Sequence, residues 1–229
     1  MNESNPKSIF NKFKALYQQE PFLPDYQELF ISDGIIDPEL FAAQPERILF
    51  IAKEHNLLKK PEDEKPYAAD YTEWWKLGVN YLFSHRISEW THGIFNNFTA
   101  NYDDITIDHK KLALRSIAFI NVKKSSGKAS ANPEVISKYI VASQQLLQEQ
   151  IREINPTMII CCFRYDYLPN QLFDGALTKT TAGTFSYGKW EGVDIINFYH
   201  PSSRKRSKWL YEEVGKAFNY VKDTRPIQS

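Results

Sequence analysis

Three polar side chains stand at or just past the ends of three separate apolar runs, and their types suit a hydrolysis. Glu54 follows the run Arg47 to Ala52, Asn121 lies near the end of Ser116 to Val122, and His200 follows Val193 to Tyr199. A carboxylate can position water and offset positive charge on a sugar-like transition state, and a histidine can donate a hydrogen bond to a departing group. Each residue also has a plainer reading. An Asn ending a strand is commonly a turn former, and a His before a Pro is commonly a loop residue.

For the three to meet, the runs that carry them must be neighbouring strands. Arg47–Ala52, Ser116–Val122, Thr157–Phe163 and Val193–Tyr199 are short, continuous and apolar, as strands buried on both faces are. A helix is expected from about 133 to 154, with Pro133 at its first position and Asn155-Pro156 ending it. That makes a strand, helix, strand unit, which should be parallel and right-handed. A last helix is expected over about 206 to 222, and Thr180 to Trp190, with Gly183 and Gly188, suits an antiparallel hairpin. Tyr71, Trp74, Trp75, Tyr81, Phe83, Trp90 and Phe95 fall in a long, mostly helical region. Before the breaks at Pro21 and Pro24, Ile9, Phe10, Phe13, Leu16 and Tyr17 recur at helical spacing, so residues 1 to about 44 read as a helical extension forming a lid. The expected architecture is one α/β domain, a three-layer α/β/α sandwich around a central four-stranded parallel sheet.

The 229 residues, 42% hydrophobic and 14% aromatic, suffice for one sizeable core. The polar amino terminus carries no signal-peptide pattern and no stretch reaches the roughly 20 apolar residues of a membrane helix, so a cytoplasmic protein without membrane contact is expected. The two cysteines, Cys161 and Cys162, are adjacent within an apolar run and read as small core residues rather than a disulfide framework or metal cage. With 28 basic and 28 acidic side chains the global field is neutral, so a polyanion has to be met by a local patch.

Placement of the basic residues is therefore informative. In open parallel sheets ligands bind beyond the carboxyl ends of the strands. Lys53 follows the first strand; Lys123, Lys124 and Lys128 follow the second; Arg164 follows the third; and Ser202, Ser203, Arg204, Lys205, Arg206 and Lys208 follow the fourth, in a segment without a carboxylate. Lysines and arginines populate most surface loops, but a cationic end to all four strands suits phosphate oxygens and favours a nucleic-acid ligand.

The order of these motifs resembles the uracil-DNA glycosylase superfamily from about Arg47 to the final helix. Ile51-Ala52-Lys53-Glu54-His55-Asn56 occupies the place of the first motif, Ile120-Asn121-Val122-Lys123 is similar to the middle strand ending in asparagine, and His200-Pro201-Ser202 is similar to the closing His-Pro-Ser motif. The Asn-Pro-Thr-Met-Ile-Ile entrance to the third strand also resembles the family. The resemblance implies that Glu54 orients water and offsets charge on the deoxyribose, that Asn121 reads a pyrimidine edge, and that His200 hydrogen-bonds the departing base. It further implies that Ala52 and His55 line the base pocket and that the loop from Ser202 to Ser207 enters the minor groove with Arg204 as wedge. Lys53, Lys123, Lys124, Ser202, Ser203, Lys205 and Arg206 would then contact DNA.

Such an enzyme takes its nucleotide out of the stack and needs an aromatic platform for the everted base. Tyr67, Tyr71, Trp74 and Trp75 are candidates, although aromatics at helical spacing are more often core. The first motif departs from the family: Ala52 replaces a glycine, His55 a proline, and Asn56 a glycine or tyrosine. Two adjacent cysteines exclude the branch with an iron–sulfur cluster. What the resemblance implies is a monomeric, monofunctional glycosylase of base excision repair, acting on DNA without metal or cofactor. A catalytically idle nucleic-acid-binding module and a nucleoside or nucleotide hydrolase are the competing readings.

Overall fold

Short runs that are apolar at most positions suit strands covered on both sides, and the computed structural model places each of them in the middle of one sheet. It describes residues 6–19, 30–56, 71–76, 78–127, 130–180 and 183–225. Seven strands form the main sheet. They are β1 (Gly34–Ile35), β2 (Ile48–Ala52), β4 (Ala118–Asn121), β6 (Met158–Cys161), β7 (Leu177–Lys179), β8 (Ser186–Trp190) and β9 (Val193–Asn197), in the spatial order β1-β4-β2-β6-β9-β8-β7. A separate two-stranded sheet joins β3 (His55–Asn56) to β5 (Ser126–Gly127) in parallel.

The four expected strands are the central ones, β4, β2, β6 and β9, and all are mutually parallel. The strand count is corrected from four to seven. Beyond β9 an antiparallel meander of β8 and β7 extends the sheet, and beyond β4 the short β1 runs antiparallel. Neither edge has a long apolar run, because an edge strand is covered less fully and needs fewer residues.

Alternate residues of each central strand enter different cores, as the two-residue period requires. Phe50, Phe119, Ile160 and Ile196 pack with α4 (Leu82–Phe95) and α8 (Ser207–Thr224). Leu49, Ile51, Ile120, Ile159 and Ile195 pack with α1 (Pro6–Gln19), α6 (Pro133–Ile154) and α7 (Tyr167–Leu172). The first 44 residues contribute to these layers. Ile9, Phe13 and Tyr17 of α1 are fully buried, α2 (Pro38–Ala42) buries Phe41, and β1 belongs to the sheet. On the other side lie α3 (Tyr71–Lys76) and α5 (Ile107–Arg115). Cys161 and Cys162 are free and buried.

The caps follow local chemistry. The Asn132 side chain accepts from the Glu134 N–H at the start of α6, next to Pro133, and Asn155 ends the helix in the left-handed region at φ 54°. At Gly93 of α4 a Cβ would lie 2.5 Å from the Phe98 ring and 2.8 Å from Tyr211 of α8, so glycine admits the close approach of the two helices. That approach sets α4 against the loop leading into α8, which carries His200. No helix among the described residues is long and apolar enough to cross a membrane.

Candidate functional site

Because β4, β2, β6 and β9 are parallel and adjacent, their carboxyl ends open on one edge of the sheet. Ala52 and Asn121 are register partners at the last positions of β2 and β4, and Cys161 pairs with Asn197. Asn121 is 2% exposed and shares the strand face of Phe119, two residues earlier. Its backbone N–H donates to Asp33 Oδ2 at 2.8 Å, which fixes the strand end. Its side-chain Nδ2 is buried with no partner. A buried amide with two idle donors costs free energy unless something binds there.

His200 is reached from the same face through aromatic contacts. The Phe83 ring of α4 lies 5.7 Å from Phe119 and 5.4 Å from the His200 imidazole, with buried Trp75 behind it at 5.6 Å. His200 Nδ1 accepts from the Ser202 backbone N–H at 3.2 Å. In the neutral ring the proton therefore sits on Nε2, which becomes the free donor. Burial, aided by the nearby positive charge of Lys53, pushes His200 down to about 4. At neutral pH it is an uncharged hydrogen-bond donor.

The loop carrying His200 is held by a residue without a sequence motif. Arg86 of α4, 4% exposed, donates to the carbonyl oxygens of Pro201, Ser203 and Lys205 and to Ser207 Oγ. One planar guanidinium thus fixes alternate residues of the turn, a geometry that a lysine cannot reproduce. Outside this clamp, Ser202, Arg204, Lys205 and Arg206 are exposed, and Ser203 is half-buried. The Lys205 ammonium lies over the Trp209 ring at 5.4 Å.

Glu54 faces a different neighbour. Its Oε2 accepts from Lys123 Nζ at 2.8 Å, and both side chains are almost wholly buried. A Cβ on Gly127 would lie 1.9 to 2.2 Å from the carboxylate, so the glycine provides its seat. The pairing of β3 with β5 closes this arrangement by joining the loop after β2 to the loop after β4. His55 lies in β3 and is half-buried, and burial lowers its pKa. Lys53, also half-buried, has its ammonium destabilised chiefly by burial, and its carbonyl accepts the Lys123 N–H at 3.0 Å.

Two expected phosphate contacts are corrected. Lys123 is turned inward to Glu54 and over the Tyr139 ring, 5.3 Å away. Lys124 is fully buried, with its ammonium 2.6 Å from Asp33 Oδ1, and burial pushes its pKa down. Neither belongs to an exposed cationic rim, because each answers a buried carboxylate. Asp33 also accepts from Gln150, so it ties β4 to α6 as well as to Lys124. Among the described residues the expected rim leaves half-buried Lys53 and exposed Arg164, Arg204, Lys205 and Arg206, together with exposed Lys208, whose ammonium pairs with Asp103 at 2.6 Å.

Among the candidate platforms, Trp75 is 1% exposed and belongs to the core. Tyr67 and Lys128 lie outside the described residues, as do the side chains of Tyr71 and Trp74. Phe83, half-buried between Phe119 and His200, is the aromatic that borders the site among the described residues. Among these residues no cluster of three His, Cys, Asp or Glu side chains suits a metal ion. No family model and no curated protein sequence matches the chain.

Proposed function

We propose that the protein is a DNA glycosylase of base excision repair that hydrolyses the N-glycosidic bond of uracil or a related damaged base, on a three-layer α/β/α fold. The observation that carries this reading is the combination of an unpartnered, buried Asn121 amide with a neutral His200 whose free proton is on Nε2. Both are donors. A pyrimidine-like base presents carbonyl oxygens to such donors and gains negative charge as it leaves. Stabilising that charge with neutral donors lowers the barrier without transferring a full proton. Phe83 offers the apolar face on which an everted base can rest. Glu54 would orient water and offset charge on the sugar, while Lys53, Arg204, Lys205 and Arg206 would hold phosphates.

A second reading, an idle binding module, is favoured by the Lys123–Glu54 ion pair, which already occupies one carboxylate oxygen. The deciding experiment is incubation with single- and double-stranded oligonucleotides carrying uracil, hydroxymethyluracil, hypoxanthine or xanthine, followed by alkali. Strand breaks at the modified base are expected. Intact strands on every substrate, with DNA still bound, would give the assignment to the binding module. Release of base from free nucleosides but not from DNA would give it to a nucleoside hydrolase.

A further inference from the structure

The loop after β6 presents aromatic rings to solvent while its backbone is pinned from three sides. Arg164, in the left-handed region at φ 70°, donates its N–H to the Phe198 carbonyl at 3.1 Å, two residues before His200. Asp166 Oδ1 accepts from Ser186 Oγ at 2.6 Å and from Asn197 Nδ2 at 2.8 Å, fastening the loop to β8 and β9. Leu168 and Pro169 bury the first turn of α7. Between these anchors Tyr165 and Tyr167 remain 46% and 45% exposed, their rings 6.1 Å apart and tilted by 34°. The Arg164 guanidinium stands 6.0 Å from the Tyr165 ring.

Two exposed tyrosines on so constrained a loop add nothing to the core. Presenting rigid rings at low entropic cost suits recognition of flat partners. The partner is narrowed by charge, because Arg164 is exposed on this loop and its backbone is bonded to Phe198, just before the loop that carries the exposed Arg204, Lys205 and Arg206, and these cations complement a polyanion. Unpaired nucleobases joined by phosphates present flat rings and negative charge together, whereas a duplex hides its base faces in the stack.

We infer that Arg164, Tyr165 and Tyr167 form a stacking platform for unpaired bases beside the target nucleotide, so that the polymer bound is single-stranded DNA. Identifying the neighbouring Asn121 and His200 as the target site rests on the glycosylase reading, but the platform is testable without turnover. Fluorescence anisotropy of an unmodified oligothymidylate and of the matching duplex measures it. Single-stranded DNA is expected to bind at least about tenfold more tightly than duplex. Tyr165→Ala and Tyr167→Ala should each weaken the single strand about tenfold. Tyr165→Phe should keep the affinity, because it keeps the ring. Arg164→Ala should lower the salt slope by roughly 0.7, one phosphate contact on a single strand. Equal affinity for both polymers, or alanine variants that are folded by circular dichroism and bind as tightly as the parent, would overturn the platform. Failure to excise any base would sink the glycosylase reading and leave these binding results standing.

Discussion

Arg86 donates to the carbonyl oxygen of Ser203 at 2.7 Å from a helix more than 100 residues earlier in the chain. The same guanidinium holds Pro201, Lys205 and Ser207, so the loop that follows His200 is fixed by a side chain from another element. Replacing Arg86 with Lys keeps the charge but loses the fork, leaving carbonyls of the loop, the buried one of Pro201 among them, without their donors. The expected cost is about 3 kcal/mol or more in chemical denaturation. As the loop loosens, the imidazole of His200 should titrate closer to 6.5 in an NMR pH series. A value still near 4 in Arg86→Lys would show that the clamp does not maintain the dry environment of the ring.

The ion pair between Glu54 and Lys123 complicates any simple test of catalysis. Glu54→Gln removes the proposed catalytic carboxylate and also leaves the Lys123 ammonium buried without its counter-charge, at a cost of about 3 kcal/mol. Loss of turnover in that variant alone is therefore ambiguous. The double variant Glu54→Gln/Lys123→Met removes both charges and is expected to recover most of the stability. If Glu54 acts in the reaction, turnover should stay at least about a hundredfold below the parent while DNA binding persists. Recovery of turnover together with stability would make the pair purely structural.

How much of this was legible depends on the distance between partners. The strands β2, β4, β6 and β9 were evident because burial on both faces leaves an uninterrupted apolar run such as Ile48 to Ala52. The ends of those runs gave Asn121 and His200. The two-residue β1 leaves no periodic trace, and β7 is nearly as short. Direction was equally hidden for Lys123 and Lys124: one loop sequence serves an exposed rim or a buried ion pair, and Asp33, which decides for Lys124, is 91 residues away. Arg86 and Phe83 stood within an aromatic helical stretch, where nothing local marks a residue whose partners are the backbone of the last loop or the ring of His200.

His200 also ties stability to pH. Its pKa in the folded protein, about 4, lies below the 6.5 of an unfolded chain, so between these values the unfolded state binds more protons. Its contribution to stability is complete above about pH 6.5 and is lost as pH falls toward 4, by roughly 3 kcal/mol at most. In the glycosylase reading the hydrogen-bond donor is the neutral ring, so activity should show no loss between pH 8 and 5.5 from this residue. Denaturant midpoints measured over pH 4 to 8 should fall more steeply with acid in the parent than in His200→Gln, so that the parent loses stability relative to the variant between pH 6.5 and 4. Parallel profiles would place the acid sensitivity elsewhere.

Asn121 offers the sharpest separation of fold from function. Its Nδ2 is buried with no hydrogen-bond partner among the described residues, so the side chain carries a desolvation cost that no contact within the protein offsets. Asn121→Leu, which keeps the branching at Cγ although its methyl groups are larger than the amide, removes that cost while preserving the Asp33 hydrogen bond, which is made by the backbone N–H. The variant is expected to be as stable as the parent or more stable by about 1 kcal/mol, the pattern of residues retained for a site rather than for packing. Binding of free uracil, followed by calorimetry, should nevertheless weaken at least about tenfold, because the base loses a donor and meets a methyl group instead. A variant that is less stable than the parent but binds the base equally well would reverse the assignment, leaving Asn121 as a turn residue at the end of β4.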